Sequence, residues 1–178
     1  ALQIRARPSM MNPQDGGSAS GHEGHGHRSS MPDAWNKPAG GLSISAVDID
    51  SVFMAYFSIQ QALSKDFLDG ARSGVRDFVH QAGVVDTTVL ESGARRQWMQ
   101  MAARMRLDAE AVYVATTVEK ARRAFAGLST ALTEVARDFG AGGDSVHLFH
   151  CPMAFDNEGA DWLQRAEDTE NPYFGSQM

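Results

Sequence analysis

The chain has 178 residues and a formal net charge of -6, with 43% hydrophobic and 21% charged residues. This length suits one domain and a tail. The acidic balance disfavours nucleic acid or an anionic membrane surface as the main partner, since both prefer a basic face. A single cysteine excludes an intrachain disulfide, and there is no apolar run long enough to predict a transmembrane segment. Because the sequence begins with Ala1, we expect a fragment or a processed product.

Residues 1–43 are predicted to form a flexible linker, because prolines, glycines and serines are frequent there and little of the segment can be buried. The linker contains the tract Gly21-His22-Glu23-Gly24-His25-Gly26-His27. Short His-rich tracts suit Cu(II) or Zn(II), so His22, His25 and His27 are candidate ligands. The alternative is a solvated linker whose histidines bind nothing.

Residues 44–178 are predicted to form one domain, because apolar residues recur there with the period of an α-helix. Glycines and a capping box mark the helix ends. We predict an all-α fold, an antiparallel four-helix bundle closed by an irregular C-terminal Cys-Pro-Met segment and preceded by the disordered His-rich linker. The predicted helices are Ala46–Asp66, a short helix between an Asp69-Gly70 break and Gly83, Thr88–Val112, and a helix from a Thr116/Glu119 capping box to Gly140.

The helices themselves are predicted to be structural rather than to carry a functional site. Met99, Met101 and Met105 follow the stripe of Trp98, a pattern typical of core packing rather than of a thioether copper site. His80 has no ligand-like neighbour and is predicted to be a surface or capped histidine. No Glu-x-x-His motif of carboxylate-bridged di-iron bundles is present in these helices.

The candidate metal site is in the C-terminal segment. If Val146–His150 is extended, His147 and Cys151 are about 13 Å apart, too far to hold one ion. His150 and Cys151 would then lie on opposite faces unless Pro152 bends the chain. Cys151 and Met153 can turn their sulfur atoms towards a common point, and thiolate with thioether selects Cu(I) or Ag(I). His150 or Met178 could complete the site.

Two other interpretations of this segment remain. In the first, Cys151 is a small buried hydrophobe, Met153 and Phe155 plug the end of the bundle, and Trp162 packs as an anchor. A catalytic Cys-His pair is disfavoured, because no third group is suggested to orient His147 or His150 towards Cys151. With no substrate cleft evident, we predict that the protein is not an enzyme.

Several blocks of the sequence together resemble those of a known type of domain. They are Cys-Pro-Met-Ala at 151–154, Gly-Ala-Asp-Trp-Leu at 159–163, Asn-Pro-Tyr-Phe-Gly at 171–175 with Met178, and upstream Tyr56–Leu63 and Arg123–Leu132. From about Ser45 to Met178 the chain resembles an uncharacterised helical domain appended to periplasmic adaptor (membrane fusion) subunits of copper/silver-type heavy-metal efflux pumps. Residues Ala1–Met11 look like the end of such an adaptor.

The resemblance implies a periplasmic location, a role in Cu(I) or Ag(I) handling, and partners among the adaptor body, the inner-membrane transporter or a metallochaperone. The other function considered is a structural protein–protein interaction domain of the efflux complex, with Cys151 buried and not a ligand. The family pattern usually continues past the methionine to a second cysteine followed by glycine, whereas this chain stops at Met178. If that cysteine is a ligand, the site is incomplete here.

Overall fold

The computed structural model describes residues 27–30, 46–142 and 146–177, and within these ranges the fold is mainly helical with one small sheet. Four long helices follow one another, and each packs against the next along the chain. The elements are, in chain order, β1 His27–Ser30, α1 Ala46–Ser64, α2 Leu68–Val84, α3 Ser92–Val114, α4 Val118–Phe139, β2 His147–Cys151, a short helical turn at Ala154–Asn157, β3 Ala160–Gln164 and a 3-10 turn at Gly175–Gln177.

The four predicted helices are all present, because their apolar stripes form a common core. Phe53, Phe78, Met105 and Leu132, one from each helix, are fully buried. His80 is exposed on α2, as predicted. The methionine stripe is only partly in the core: Met105 is buried, but the side chain of Met99 is 62% exposed.

The predicted break between the first two helices is wrong by a few residues. Asp69 and Gly70 lie in the first turn of α2, and the break is at Asp66, which has a φ of 58°. A left-handed conformation is tolerated by Asp, and here it aims the carboxylate at residues from other elements. Phe67 follows the break and is 58% exposed.

The N-terminal cap of α4 is also displaced by one residue from the predicted capping box. Thr117 is the capping residue, and its hydroxyl group accepts a hydrogen bond from the backbone N–H of Lys120 at 3.3 Å. Thr116, the predicted cap, instead accepts a hydrogen bond from the side chain of Lys120. At the other end, Gly140 has a φ of 90° and ends the helix as predicted.

The small antiparallel sheet departs from the all-α prediction. β2 is the central strand, with β1 on one side and β3 on the other. The extended piece predicted near Val146–His150 corresponds to β2, whereas β3 was not predicted because its alternation is weak: Trp162, Leu163 and Gln164 are all buried. β1 lies inside the predicted linker, most of which is outside the described residues.

Buried aromatic side chains of β2 and β3 are part of the hydrophobic core. Trp162 is fully buried, as expected for an anchor, and its ring stacks on Phe149 with centroids 5.3 Å apart. β3 packs against α4 and, less extensively, against α1. Among the described residues, no helix has the length and apolar character needed to cross a membrane.

Candidate functional site

His150 and Asp161 form a polar pair on the sheet. They are directly opposite each other on β2 and β3, and Nδ1 of His150 is 2.6 Å from a carboxylate oxygen of Asp161. Both side chains are about half exposed. A carboxylate on one ring nitrogen orients an imidazole and leaves the other nitrogen, Nε2, for a ligand. This is the arrangement found behind many metal-binding histidines.

Gly159 lies beside this imidazole, where a side chain on that residue would not fit. A Cβ atom at Gly159 would lie 2.9 Å from Cε1 and 3.2 Å from Nε2 of His150, and the glycine has a φ of 78°. Any larger residue would therefore be strained in its backbone and would crowd the ring. Within the Gly-Ala-Asp run at 159–161, Asp161 thus orients the His150 ring and Gly159 leaves room for it.

Cys151 is at the end of β2 and is completely buried. It alternates along the strand with exposed His150, so the two side chains lie on opposite faces, as strand geometry predicts. The thiol is free and belongs to the hydrophobic core. In this conformation Cys151 is enclosed, and a metal ion would reach it only after local opening.

Met153 lies two residues further on and is 47% exposed, so it does not plug the end of the helices. The turn that follows has an unusual backbone: Phe155, Asp156 and Asn157 have φ values of 56°, 62° and 69°. Non-glycine residues in the left-handed region cost on the order of 1–3 kcal/mol each, least for Asp and Asn. The Cys-Pro-Met block therefore adjoins a strained turn.

The Asn-Pro-Tyr-Phe-Gly block is held by a buried cation on α4. Arg122 is 7% exposed, and it donates hydrogen bonds from Nε to the carbonyl of Pro172 at 2.9 Å and from a terminal nitrogen to the carbonyl of Leu63 at 3.1 Å. It also forms a salt bridge of 2.5 Å with Asp66. One guanidinium thus joins α1, α4 and the C-terminal segment.

Asp66 binds the same segment from the other side. Its second carboxylate oxygen accepts hydrogen bonds from the backbone N–H and the hydroxyl of Ser176. These bonds, with the contribution of Arg122, lower the pKa of Asp66. Gly175 has a φ of 63°, and a Cβ atom there would overlap both Arg122 and Asp66. We call Asp66, Arg122, Gly175 and Ser176 the C-terminal clamp.

Tyr173 connects the clamp to the sheet. Its ring packs edge-on against Trp162 and Phe155, and its hydroxyl donates a hydrogen bond of 2.5 Å to the backbone carbonyl of Asp161. Burial raises the pKa of this hydroxyl well above its usual value, so it stays a donor. Through Tyr173, the segment held by the clamp contacts Asp161, the β3 residue that pairs with His150.

The predicted ligands are not all brought together. Cys151 is in the core and Met153 is exposed, while His150 is on the opposite face from Cys151. Within the described parts of the chain, no three His, Cys, Asp or Glu side chains are grouped as a metal site. His27 is opposite His150 in the β1–β2 register. His22, His25 and Met178 lie outside the described residues.

Sequence reasoning missed Arg122, Asp66 and Asp161. Arg122 carries a usable signal, because it follows Val118 by four residues and precedes Phe125 by three and so falls on the apolar face of α4. An arginine on such a face is expected to be buried with partners. Asp66 has no comparable signal because Ser176 is 110 residues away, and Asp161 meets His150 only through the register of β2 and β3.

A known protein family matches the helical part of the chain. A family model described as "Protein of unknown function (DUF3347)" matches residues 52–144, more than half of the chain. The chain belongs to this family. The DUF3347 match runs from α1 to just beyond α4 and ends before β2, so it does not include the Cys-Pro-Met block or the clamp's C-terminal half. No curated protein and no solved structure matches the chain significantly.

Proposed function

We propose that this DUF3347 domain is a metal-handling module of a periplasmic adaptor in a copper/silver-type efflux system. In this proposal the four helices form an antiparallel bundle that carries the site, no covalent bond is made or broken, and the cargo is Cu(I) or Ag(I). The observation that carries it is the placement of Cys151 and Met153 on either side of Pro152, directly before a strained turn. The resemblance to adaptor-linked domains supplies the compartment and the partners.

The strained turn gives the site a physical means of opening. Cys151 is buried and Met153 is exposed, so joint ligation requires the chain around Pro152 to rearrange. Relaxing three left-handed residues offsets part of the cost of exposing a small thiol. Two soft sulfur ligands then favour a monovalent soft ion over Zn(II) or hard cations. The module would take up its ion by local rearrangement and release it to the adaptor body, the transporter or a metallochaperone.

A competition titration of the reduced protein against a Cu(I) chelator tests this function. We expect Cys151→Ser to weaken Cu(I) binding strongly and Met153→Leu to weaken it less, because thiolate is the stronger ligand. Met99→Leu is the matched control, since Met99 is also exposed but lies on α3. A variant with His22, His25 and His27 changed to Ala separates the tract from the sulfur site. Equal affinity in all variants would exclude a sulfur site.

The second candidate is a structural interaction domain of the same efflux complex. It is favoured by the complete burial of Cys151 and by an apolar groove of about 380 Å³ between α2 and α3, lined in part by Val79, Trp98 and Met99. In this function Cys151 only packs, and the groove contacts the adaptor body or the transporter.

Two variants separate the candidates in cells that depend on the pump for silver resistance. If the domain only docks, Met99→Glu reduces resistance, whereas Cys151→Ser lowers the melting temperature and leaves resistance intact. If it handles metal through sulfur, Cys151→Ser reduces silver resistance and Met99→Glu leaves resistance intact. Purified variants are compared by thermal unfolding so that loss of fold is recognised.

A further inference from the structure

We propose that the groove between α2 and α3 binds an amphipathic helix of a partner protein, one whose apolar stripe is flanked by Asp and Glu side chains. This is the groove lined in part by Val79, Trp98 and Met99, and we call it the α2–α3 groove. The proposal rests on the second candidate function, the structural interaction domain, and adds the chemistry of the partner. It does not depend on the sulfur site of Cys151 and Met153.

The α2–α3 groove has the length of a bound helix. It continues from the depression of about 380 Å³ into a second one of about 350 Å³, and Val79 and Arg106 line both. Met99 lines the first and Tyr113 the second. These two residues of α3 are about 21 Å apart at a helical rise of about 1.5 Å per residue, which corresponds to about four turns of a partner helix.

The walls of the groove are mainly apolar. Val75 and Val79 on α2 and Ala102 on α3 line it, and the side chain of Met99 is 62% exposed. A large exposed hydrophobic side chain beside an apolar groove is typical of an interaction surface. Because a helix docks into such a groove through residues at i, i+3, i+4 and i+7, the partner should carry an apolar stripe with this spacing.

The charged side chains in the groove favour an acidic partner. They are Arg76, Arg106 and Glu110, so the lining carries more positive than negative charge, although the whole chain has a formal net charge of -6. Neither arginine forms a salt bridge with another described residue. The guanidinium of Arg76 lies over the ring of Tyr113, 5.4 Å from its centroid. Carboxylates beside the apolar stripe of a partner helix can form charge-assisted hydrogen bonds with both arginines.

Hydrogen bonds from two further arginines fix the groove at its two ends. Arg72 on α2 donates to the carbonyls of Tyr113 at 3.2 Å and Ala115 at 2.9 Å, where α3 ends. Near the start of α3, Arg95 donates to the carbonyl of Thr87 at 3.0 Å, and Thr87 itself lines the groove. The groove is therefore preformed, which lowers the entropic cost of binding a partner.

Two synthetic peptides of about 18 residues test the proposal by fluorescence anisotropy. Both carry Leu at the spacing i, i+3, i+4 and i+7, and the stripe is flanked by Glu in one peptide and by Lys in the other. We expect the Glu peptide to bind, although the protein is also acidic, and the Lys peptide to bind at least about tenfold more weakly. Higher salt should weaken binding of the Glu peptide.

Variants of the groove show where the Glu peptide binds. Changing Arg76 and Arg106 together to Gln should weaken its binding at least about tenfold, and Met99→Glu should do the same. The matched control is Arg104→Gln combined with Lys120→Gln, which removes the same charge from exposed positions that do not line the groove. Thermal unfolding verifies that every variant is folded.

The proposal is overturned if the Glu peptide does not bind, if the Lys peptide binds as tightly, or if the arginine variant resembles its control. Sedimentation of the protein alone is a further measurement. A dimer that Met99→Glu dissociates would assign the groove to a second copy of the chain and would also overturn the proposal. If the acidic helix is rejected while Met99→Glu still lowers silver resistance in cells, the second candidate function is retained and only the partner's chemistry is wrong.

Discussion

The hydroxyl group of Tyr56 on α1 accepts a hydrogen bond from the backbone N–H of Leu163 on β3, at 3.1 Å. Both residues are fully buried, and the same hydroxyl is 2.7 Å from the hydroxyl of Ser129 on α4. Burial raises the pKa of Tyr56, so the group stays protonated and can donate to Ser129. One phenol thus joins two helices and the sheet.

We expect Tyr56→Phe to lower the free energy of unfolding by about 1–3 kcal/mol, because it leaves the N–H of Leu163 buried without its partner. Tyr113→Phe is the control, since the Tyr113 side chain is 39% exposed, and it should change stability by less than about 0.5 kcal/mol. Urea unfolding measures both. Equal effects would mean that the Tyr56 hydroxyl contributes little to attaching the sheet.

Removing the buried cation should release the C-terminal segment. Arg122→Met leaves the carbonyls of Leu63 and Pro172 without their donor, and we expect a loss of about 2–4 kcal/mol. Limited proteolysis should then cut after β3 sooner than in the unmodified protein. The neighbouring Arg123 pairs with Glu158 at the surface, so Arg123→Met should cost no more than about 1 kcal/mol. Similar proteolysis of the two variants would contradict a clamp centred on Arg122.

The clamp should weaken in acid. The pKa of Asp66 is lowered from its ordinary value of 3.8 by hydrogen bonds from Ser176 and by Arg122. A lowered pKa in the folded state stabilises the protein above the unfolded value, and this contribution is lost as pH falls below about 4 and through the folded pKa. The difference in unfolding free energy between the unmodified protein and Asp66→Asn should therefore be largest near neutral pH and shrink towards pH 3. A difference independent of pH would contradict the assignment.

Gly175 should not tolerate a side chain. Gly175→Ala places a Cβ atom against Arg122 and Asp66 at a φ of 63°, so we expect destabilisation of more than about 1 kcal/mol. Gly83→Ala is the matched control, because a Cβ atom there meets nothing within 4 Å and the residue is in α2. That change should be neutral or stabilising. Thermal unfolding of the two variants gives the comparison, and equal melting temperatures would argue against the close packing at Gly175.

The helices could be predicted from sequence because each has a local signal. The stripe of Phe125, Leu128 and Leu132 on α4 follows the 3.6-residue period, and all three are buried. Helix boundaries were predicted less accurately. The break between α1 and α2 was predicted at Asp69-Gly70 but is at Asp66, because a tertiary contact and not a local propensity sets the left-handed conformation of Asp66.

The clamp was harder to predict because its partners are distant in sequence, and the sheet because the pairing of its strands has no local signal. β3 pairs with β2 in a register that no local pattern encodes, and Asp66 meets Ser176 across 110 residues. The opposite faces of His150 and Cys151 were predicted correctly, since strand alternation alone decides them. The orientation of His150 by Asp161 required the register.

Arg122 also sets a limit on how this family's domain can be excised. It lies inside the matched region 52–144, yet one of its acceptors is the carbonyl of Pro172 and its carboxylate partner is itself bound to Ser176. A fragment cut at the edges of that match would expose apolar surface under the missing sheet and would leave a buried guanidinium short of an acceptor. We therefore expect the smallest stable fragment of this chain to be longer than the region the family model matches and to extend through Ser176.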